Sequence, residues 1–445
     1  MTHDRQPPAP ASRKIGATTA LGMIAIVAVW AATIGVGEGE AQTYKILYTF
    51  TDGADGAYPW AGLTMDRAGN LYGTANNGGR LTGPCSPYGC GTVFRLSPSG
   101  PGWIFSNLHS FSGGAGGVDP NAGVIFGPDG SLYGSTAGGG VVWPTLHAAA
   151  YSGTIYKLSP STSGCINVLC PWTMSILYRF MGGSDGGLPG VGNLVFDAAG
   201  NLYGVTVYGG NLGGNCGHYG CGTVFELRPS QGEWTETIVH AFSEDENGYG
   251  PNFGLTFDQA GNLYGETSSC GPNCYGLAYE LSPGASGWTE TVLHRFGETG
   301  GSYPVGGLVF DPSGNLYGVT CCFGGGGAFE LTPSGGGWTA NEIYSFTGNY
   351  GPVGAAGLVR DAAGNLYGTT NGDGACGFGN VFKLTPSPTG WIYTDLHDFC
   401  RSDGAEPTSP VLLDSNGNLY GTTTEGGDTS ACYVVGCGVV WEITP

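Results

Sequence analysis

Apolar and polar residues alternate along most of this chain in short runs, each ended by glycine or a Ser/Pro/Gly turn. That is the period of half-buried β-strands. Four kinds of run recur in a fixed order. The first is Gly-Leu-x-x-Asp, as in Gly62–Asp66 and Gly307–Asp311. A tight turn follows, such as Asp66-Arg67-Ala68-Gly69-Asn70. Asp early and Gly late suit a type I turn closed by a left-handed residue, a common short hairpin. The second run is Asn-Leu-Tyr-Gly-x-Thr, whose alternation puts Leu and Gly on one face and Tyr on the other. The third is Gly-Thr-Val-Phe-x-Leu, as in Gly91–Leu96 and Gly222–Leu227. The fourth carries Trp and then Leu-His/Tyr-x-Phe, as in Trp103–Phe111, Trp234–Phe242 and Trp391–Phe399.

Leu-Tyr-Gly occurs seven times, its leucines at Leu71, Leu132, Leu202, Leu263, Leu316, Leu366 and Leu419. A four-strand unit repeated at this spacing predicts an all-β fold. The expected architecture is a seven-bladed β-propeller of four-stranded antiparallel blades. An open β-solenoid is the alternative, but solenoids have shorter, more regular coils and need capping ends. The chain ends favour a closed ring. Lys45–Phe50 reads as a fourth-type strand with no first three, and Val439–Ile443 as a third-type strand with no fourth. The N-terminal strand is therefore expected to complete the last blade, leaving no open edge.

These residues resemble the bacterial extracellular repeat family called GloVer, the "choice-of-anchor" tandem-repeat proteins. The carrying motif is Gly-Asn-Leu-Tyr-Gly-Thr-Thr, then Gly-Thr-Val-Phe-Lys-Leu-Thr-Pro, then Leu-His-x-Phe. Gly364–Thr370, Asn380–Pro386 and Leu396–Phe399 copy it closely, and the resemblance spans about residues 43–445. It implies a secreted or surface location and no particular activity. The surface anchor that some members carry is not expected here, because the sequence stops at Pro445 just after its last strand. A weaker similarity links the Leu-Tyr-Gly runs to sensor propellers of bacterial signalling receptors.

The first residues differ from the rest. Arg13 and Lys14 precede Ile15–Gly37, an uncharged and mostly apolar stretch, and Gly39 and Ala41 form a small-x-small pattern. Residues 1–41 are read as a signal peptide, or as an N-terminal anchor if uncleaved, since the stretch is long enough to span a bilayer. Residues 42–445 then form the propeller, secreted or at the cell surface, with the periplasm also compatible. The fourteen cysteines agree with an oxidising compartment. Close local pairs predict disulfides Cys85–Cys90, Cys165–Cys170, Cys216–Cys221, Cys270–Cys274 and Cys432–Cys437, with Cys376 and Cys400 left to pair with each other. Cys321 and Cys322 are adjacent, and their state is open. Zinc is not expected, because the pairs are spread over different repeats without matching histidines.

Formal net charge is −20. That repels phosphate backbones, so nucleic acid is an unsuitable partner. Four of the seven histidines (His109, His240, His294, His397) fill one repeat position, which Tyr48, Tyr178 and Tyr344 fill elsewhere. Shared out one per blade, they read as structural. The aspartates before the short turn (Asp66, Asp197, Asp258, Asp311, Asp361, Asp414) read as caps of turn amides, since one carboxylate per site is too few for calcium. Glycine-rich runs such as Gly324–Gly327 join no strand to a helix, so they are not phosphate loops. No cofactor, metal or catalytic set is expected.

Propeller geometry sorts the loops onto two faces. First–second and third–fourth turns share one; second–third loops and blade-to-blade connections share the other. The second–third loops vary in length and carry most of the cysteines and many aromatics, including Tyr88, Trp143, Tyr208, Tyr219, Tyr275, Phe323, Phe378 and Tyr433. Variable loops on a fixed scaffold are where recognition resides. The candidate ligand-binding residues are Tyr58, Asp185, Tyr249, Tyr303, Tyr350 and Asp403, from the blade connections. Aromatic platforms with carboxylates suit sugar rings or extended peptides. The expected protein is a monomeric binding scaffold for extracellular carbohydrate or protein. A polysaccharide- or lactone-directed enzyme at the central channel and a structural envelope protein are the alternatives.

Overall fold

In the computed structural model the described residues are 42–140, 152–161, 171–212, 216–243, 248–270, 274–297, 302–321, 326–346 and 355–445. Gln42–Pro445 forms one compact unit. It is a seven-bladed β-propeller: seven antiparallel sheets, each built from the four successive kinds of strand. Blade 1 holds Thr64–Met65, Leu71–Ala75, Thr92–Ser99 and Gly102–Ser110. In blades 3 and 4 the first strand is broken in two, as Gly187–Pro189 with Val195–Phe196 and Tyr249–Pro251 with Thr256–Phe257.

The ring closes through its termini. Thr43–Thr49 pairs antiparallel with Val439–Thr444, matching Thr43 to Thr444 and Ile46 to Trp441. Blade 7 is completed by Leu412–Leu413 and Leu419–Thr423.

Packing explains the repeated letters. The Gly of Leu-Tyr-Gly faces the aromatic residue of the third strand. A Cβ on Gly204 would lie 2.6 Å from Phe225 Cζ, and one on Gly421 would lie 2.3 Å from Trp441 Cζ2. The ring needs the space that glycine leaves. The neighbouring Tyr points to the next blade, where it meets the fourth-strand Trp edge-on. Tyr72–Trp172, Tyr133–Trp234 and Tyr203–Trp288 have centroids 6.2, 6.1 and 6.2 Å apart. The His/Tyr position stands edge-on to the buried Phe two residues later, as in His109–Phe111 at 5.0 Å and Tyr178–Phe180 at 5.0 Å. All seven blades pack this position in the same way, and Tyr48, Tyr178 and His397 also hydrogen-bond an aspartate of the following turn.

The turn aspartates act as local caps. Asp197 Oδ1 accepts from the amides of Ala199 and Asn201, and Oδ2 accepts from Asn201 Nδ2 and Tyr203 Oη. Disulfides join Cys85–Cys90, Cys216–Cys221, Cys270–Cys274, Cys376–Cys400 and Cys432–Cys437. Cys321 is also disulfide-bonded. Cys165, Cys170 and Cys322 lie outside the described residues. Such bonds belong to an oxidising environment. Among the described residues no helix is long and apolar enough to cross a membrane.

Candidate functional site

The blade connections are locked to the preceding blade by one device. A residue before proline takes left-handed backbone: Tyr58 (φ 56°), Asp119 (56°), Leu188 (53°), Tyr303 (54°) and Glu406 (55°). Its amide reaches back to the end of the previous blade's second–third loop. Tyr58 N donates to Cys437 O at 3.0 Å, and Glu406 N to Phe378 O at 2.9 Å. The proline then covers the glycine that opens the previous blade's third strand. A Cβ on Gly438 would lie 2.7 Å from Pro59 Cδ, and one on Gly91 would lie 2.4 Å from Pro120 Cδ. The non-glycine residues in this strained region mark a rigidly over-determined rim.

The residues after these prolines lie at the inner end of each blade connection, and some of them reach the axis. With Asn252, which follows the left-handed Gly250 and Pro251, they are Trp60, Asn121, Gly190, Asn252, Val305 and Thr408, of which Trp60, Val305 and Thr408 line the axial cavity. Beneath them a cavity of about 470 Å³ occupies the centre, lined from all seven blades. Its walls are mostly apolar: Val191, Leu194, Phe253, Val305 and Pro410. Polar side chains come from Asn193, Asn371 and Thr408. The described lining contains no acid, base or thiol. Trp60 stands at the rim and is 43% exposed. Thr408 Oγ1 donates to Trp60 O at 3.3 Å and shares a hydrogen bond with Thr424 Oγ1 at 2.8 Å. Trp60, Asn371, Pro407 and Thr408 all belong to the face of the variable loops.

Just outside this wall lies Glu266, 1% exposed, the only acid at a position held elsewhere by Thr, Ser or Val. Its Oε2 accepts from Gly307 N at 3.1 Å. Burial pushes its pKa up to about 8, the Gly307 amide opposing. A second groove, of about 830 Å³, lies on the opposite face between blades 3 and 4, beside Glu226, Arg228 and Trp288. There Glu226 Oε1 accepts from Tyr203 Oη at 2.8 Å and pairs with Arg228 Nε at 2.8 Å.

The described sequence-predicted binding residues come from different blades and are not brought together: Tyr58, Asp185 and Asp403 lie in blade connections, and Tyr249 and Tyr303 at the start of first strands. Asp185 caps its own turn, accepting from the amides of Met181 at 2.8 Å and Gly183 at 3.2 Å and from Tyr178 Oη at 3.3 Å. Asp403 does the same with Cys400 N at 2.8 Å and His397 Nε2 at 3.0 Å. Tyr249 is half-buried against the core between blades 3 and 4. Tyr303 stands edge-on to Tyr275 at 5.5 Å. Tyr58 packs against the cluster that contains Cys432 and Cys437. Tyr350, Trp143 and Phe323 lie outside the described residues. Trp60 was not singled out by sequence reasoning. The available signal was its place after the recurring proline, where it is the one aromatic among the described blades.

No curated protein matches the chain. Solved structures resemble it at low identity. A fungal alcohol oxidase in complex with copper is 13% identical with a TM-score of 0.51, covering 91% of this chain and 76% of its own. That likeness shows the fold alone. A putative glucose dehydrogenase from Thermus thermophilus is 13% identical (TM-score 0.43, 91% of this chain, 100% of its own). A putative gluconolactonase is 15% identical (0.39, 72% and 87%). In sequence, the model of the Gloeobacter/Verrucomicrobia repeat matches residues 33–216 and 212–435. With the motif, the blades and the match in agreement over most of its length, the chain belongs to the Gloeobacter/Verrucomicrobia repeat family.

Proposed function

We propose that this protein is an exported binding propeller that takes an uncharged carbohydrate at the mouth of its axial channel. The observation that carries the reading is the apolar cavity rimmed by the half-exposed Trp60. An indole face stacks on the apolar face of a sugar ring and loses little conformational freedom in doing so. Asn193, Asn371 and Thr408 add neutral hydrogen-bonding groups, the chemistry that hydroxyls need. A charged ligand would find no counter-ion among the described lining residues. The same lining offers no acid/base pair, so catalysis has less support than binding. Export is supported by the basic-then-apolar N-terminal run and by the disulfides.

A glycan-array screen tests this, run on the purified protein, on Trp60→Ala, and on Tyr249→Ala/Tyr303→Ala. Trp60→Ala is expected to lose up to about ten-fold in affinity for the parent's ligand, on the scale of about 0.5–1.5 kcal/mol for an aromatic contact. The Tyr249/Tyr303 variant should bind within about two-fold of the parent, an estimate resting on both rings' lying away from the axial lining. No binding to any neutral glycan sinks the carbohydrate reading.

A further inference from the structure

Two neighbouring seams on the variable-loop face differ in how they treat a cation. Between blades 6 and 7, the Arg401 guanidinium lies 4.8 Å from the Phe378 ring centroid. Arg401 sits two residues past the buried Phe399, in left-handed backbone with φ 74°. Between blades 7 and 1, the same place two residues past the buried Phe50 is held by Asp52, with φ 60°. The charge at this position is therefore reversed from one seam to the next.

The second seam also presents aromatic rings to solvent. Tyr88 and Tyr433 have centroids 6.5 Å apart and are 53% and 72% exposed. Both ride on stapled loops, Tyr88 inside Cys85–Cys90 and Tyr433 inside Cys432–Cys437. Cys432, Tyr433 and Val434 are three successive non-glycine residues in left-handed backbone, with φ 47°, 57° and 65°. Tyr58 packs beside the same disulfide. Burial and then the nearby Asp52 and Glu425 carboxylates raise the Tyr58 hydroxyl pKa. Glu425 in turn is raised by burial and by Glu406, with Arg401 opposing. Burial and then Asp55 raise Asp52. The Asp52 and Glu425 carboxylates thus lie within electrostatic reach of Tyr58 at this seam, and Asp52 also of Tyr433; Arg401 is held on Phe378, and Arg80 is exposed in the same loop as Tyr88. Val434, 71% exposed, and Leu81, 42% exposed, are further apolar residues left open to solvent in these two loops.

We propose that the seam between blades 7 and 1 binds an arginine- or lysine-bearing segment of a polypeptide partner. The cationic head lies against the faces of Tyr88 and Tyr433 and is neutralised by Asp52 and Glu425. A cation within about 6 Å of an aromatic face is attracted by the ring quadrupole, and more so beside a carboxylate. The net charge of −20 draws such a partner in. A polypeptide, rather than a free amine, is favoured by the exposed Val434 and Leu81, which would meet residues flanking the cation. This site is separate from the channel, and neither reading depends on the other.

The test is calorimetric titration of the full chain at physiological salt with three probes. They are a capped hexapeptide containing two arginines, the same peptide with citrulline for arginine, and spermidine. The proteins are the parent, Tyr88→Ala/Tyr433→Ala, Asp52→Asn/Glu425→Gln and Trp60→Ala, each checked by thermal melting. The arginine peptide should bind the parent and Trp60→Ala equally, and should bind both seam variants at least about ten-fold more weakly. The citrulline peptide should not bind. Equal binding to parent and seam variants would mean diffuse attraction to an acidic protein, and would overturn the proposal. So would spermidine binding as tightly as the peptide, or no binding by the folded parent.

Discussion

At the scale of single residues, the acids are distinguished by what surrounds them. Glu226 is buried but satisfied, holding Tyr203 Oη and Arg228 at its Oε1. Glu266 is buried with one backbone amide, from Gly307, on its Oε2 and no partner on its Oε1. Desolvation disfavours the charged form, and a single amide returns only part of what water supplied. The Glu266 pKa is therefore pushed up to about 8, against about 4.3 for an unfolded glutamate. The folded state then binds a proton that the unfolded state has lost. Its contribution is fully present below about pH 4.3 and is lost progressively as pH rises through about 8. Glu266→Gln keeps an acceptor for Gly307 N and removes the titration. Melting temperatures of the two proteins should coincide near pH 4.5 and diverge in favour of the variant by pH 8. A constant difference across that range would show that Glu266 is ionised in the fold.

At the scale of the strand and the blade, the signature Leu-Tyr-Gly is a packing instruction. Leu is fully buried within the blade, Tyr reaches the next blade's Trp, and Gly leaves room for the aromatic ring across the ladder. Gly204 has ordinary strand backbone, so a Cβ there is excluded by Phe225 and Leu194 and not by φ. Gly204→Ala should cost about 1–3 kcal/mol, the usual range for overpacking a filled core. Gly337→Ala, with nothing within 4 Å of its Cβ, is the matched control and should be neutral within about 0.5 kcal/mol. Denaturant midpoints of the two variants decide the point. Period-two alternation, turn aspartates and close cysteine pairs are local features, which is why the blades and staples were legible in the sequence. The axis was not. A Cβ on Gly192 would lie 1.9 Å from Gly254 N of the next blade, an approach set by closing the ring. No local pattern reports it, nor that Trp60 faces the mouth. Similarly, Asp185 and Asp403 read as free carboxylates until their turns are built around them.

At the scale of the whole molecule, every blade packs on two neighbours only if the ring is closed. Closure rests on Thr43–Thr49 pairing with Val439–Thr444, with Phe50 N donating to Gly438 O at 3.1 Å. It also rests on the first blade's reach to the last, as Thr422 Oγ1 donates to Ala61 O at 3.1 Å. That contact joins residues 361 positions apart, so only closure brings them together. In a repeat protein, stability is the sum of unit terms and nearest-neighbour interfaces, so opening one seam removes an interface without unfolding any blade directly. Deleting residues 43–49 is expected to leave third-strand residues 439–444 with an unpaired edge. Hydrogen exchange should then speed up first at 439–444 and at Ala61–Leu63, and unfolding should become less cooperative. Protection elsewhere should fall by a smaller, even amount. If instead exchange at 439–444 stayed slow after the deletion, the N-terminal strand would be an accessory to a ring that closes without it. The axial cavity would then owe its shape to the blade-to-blade prolines alone.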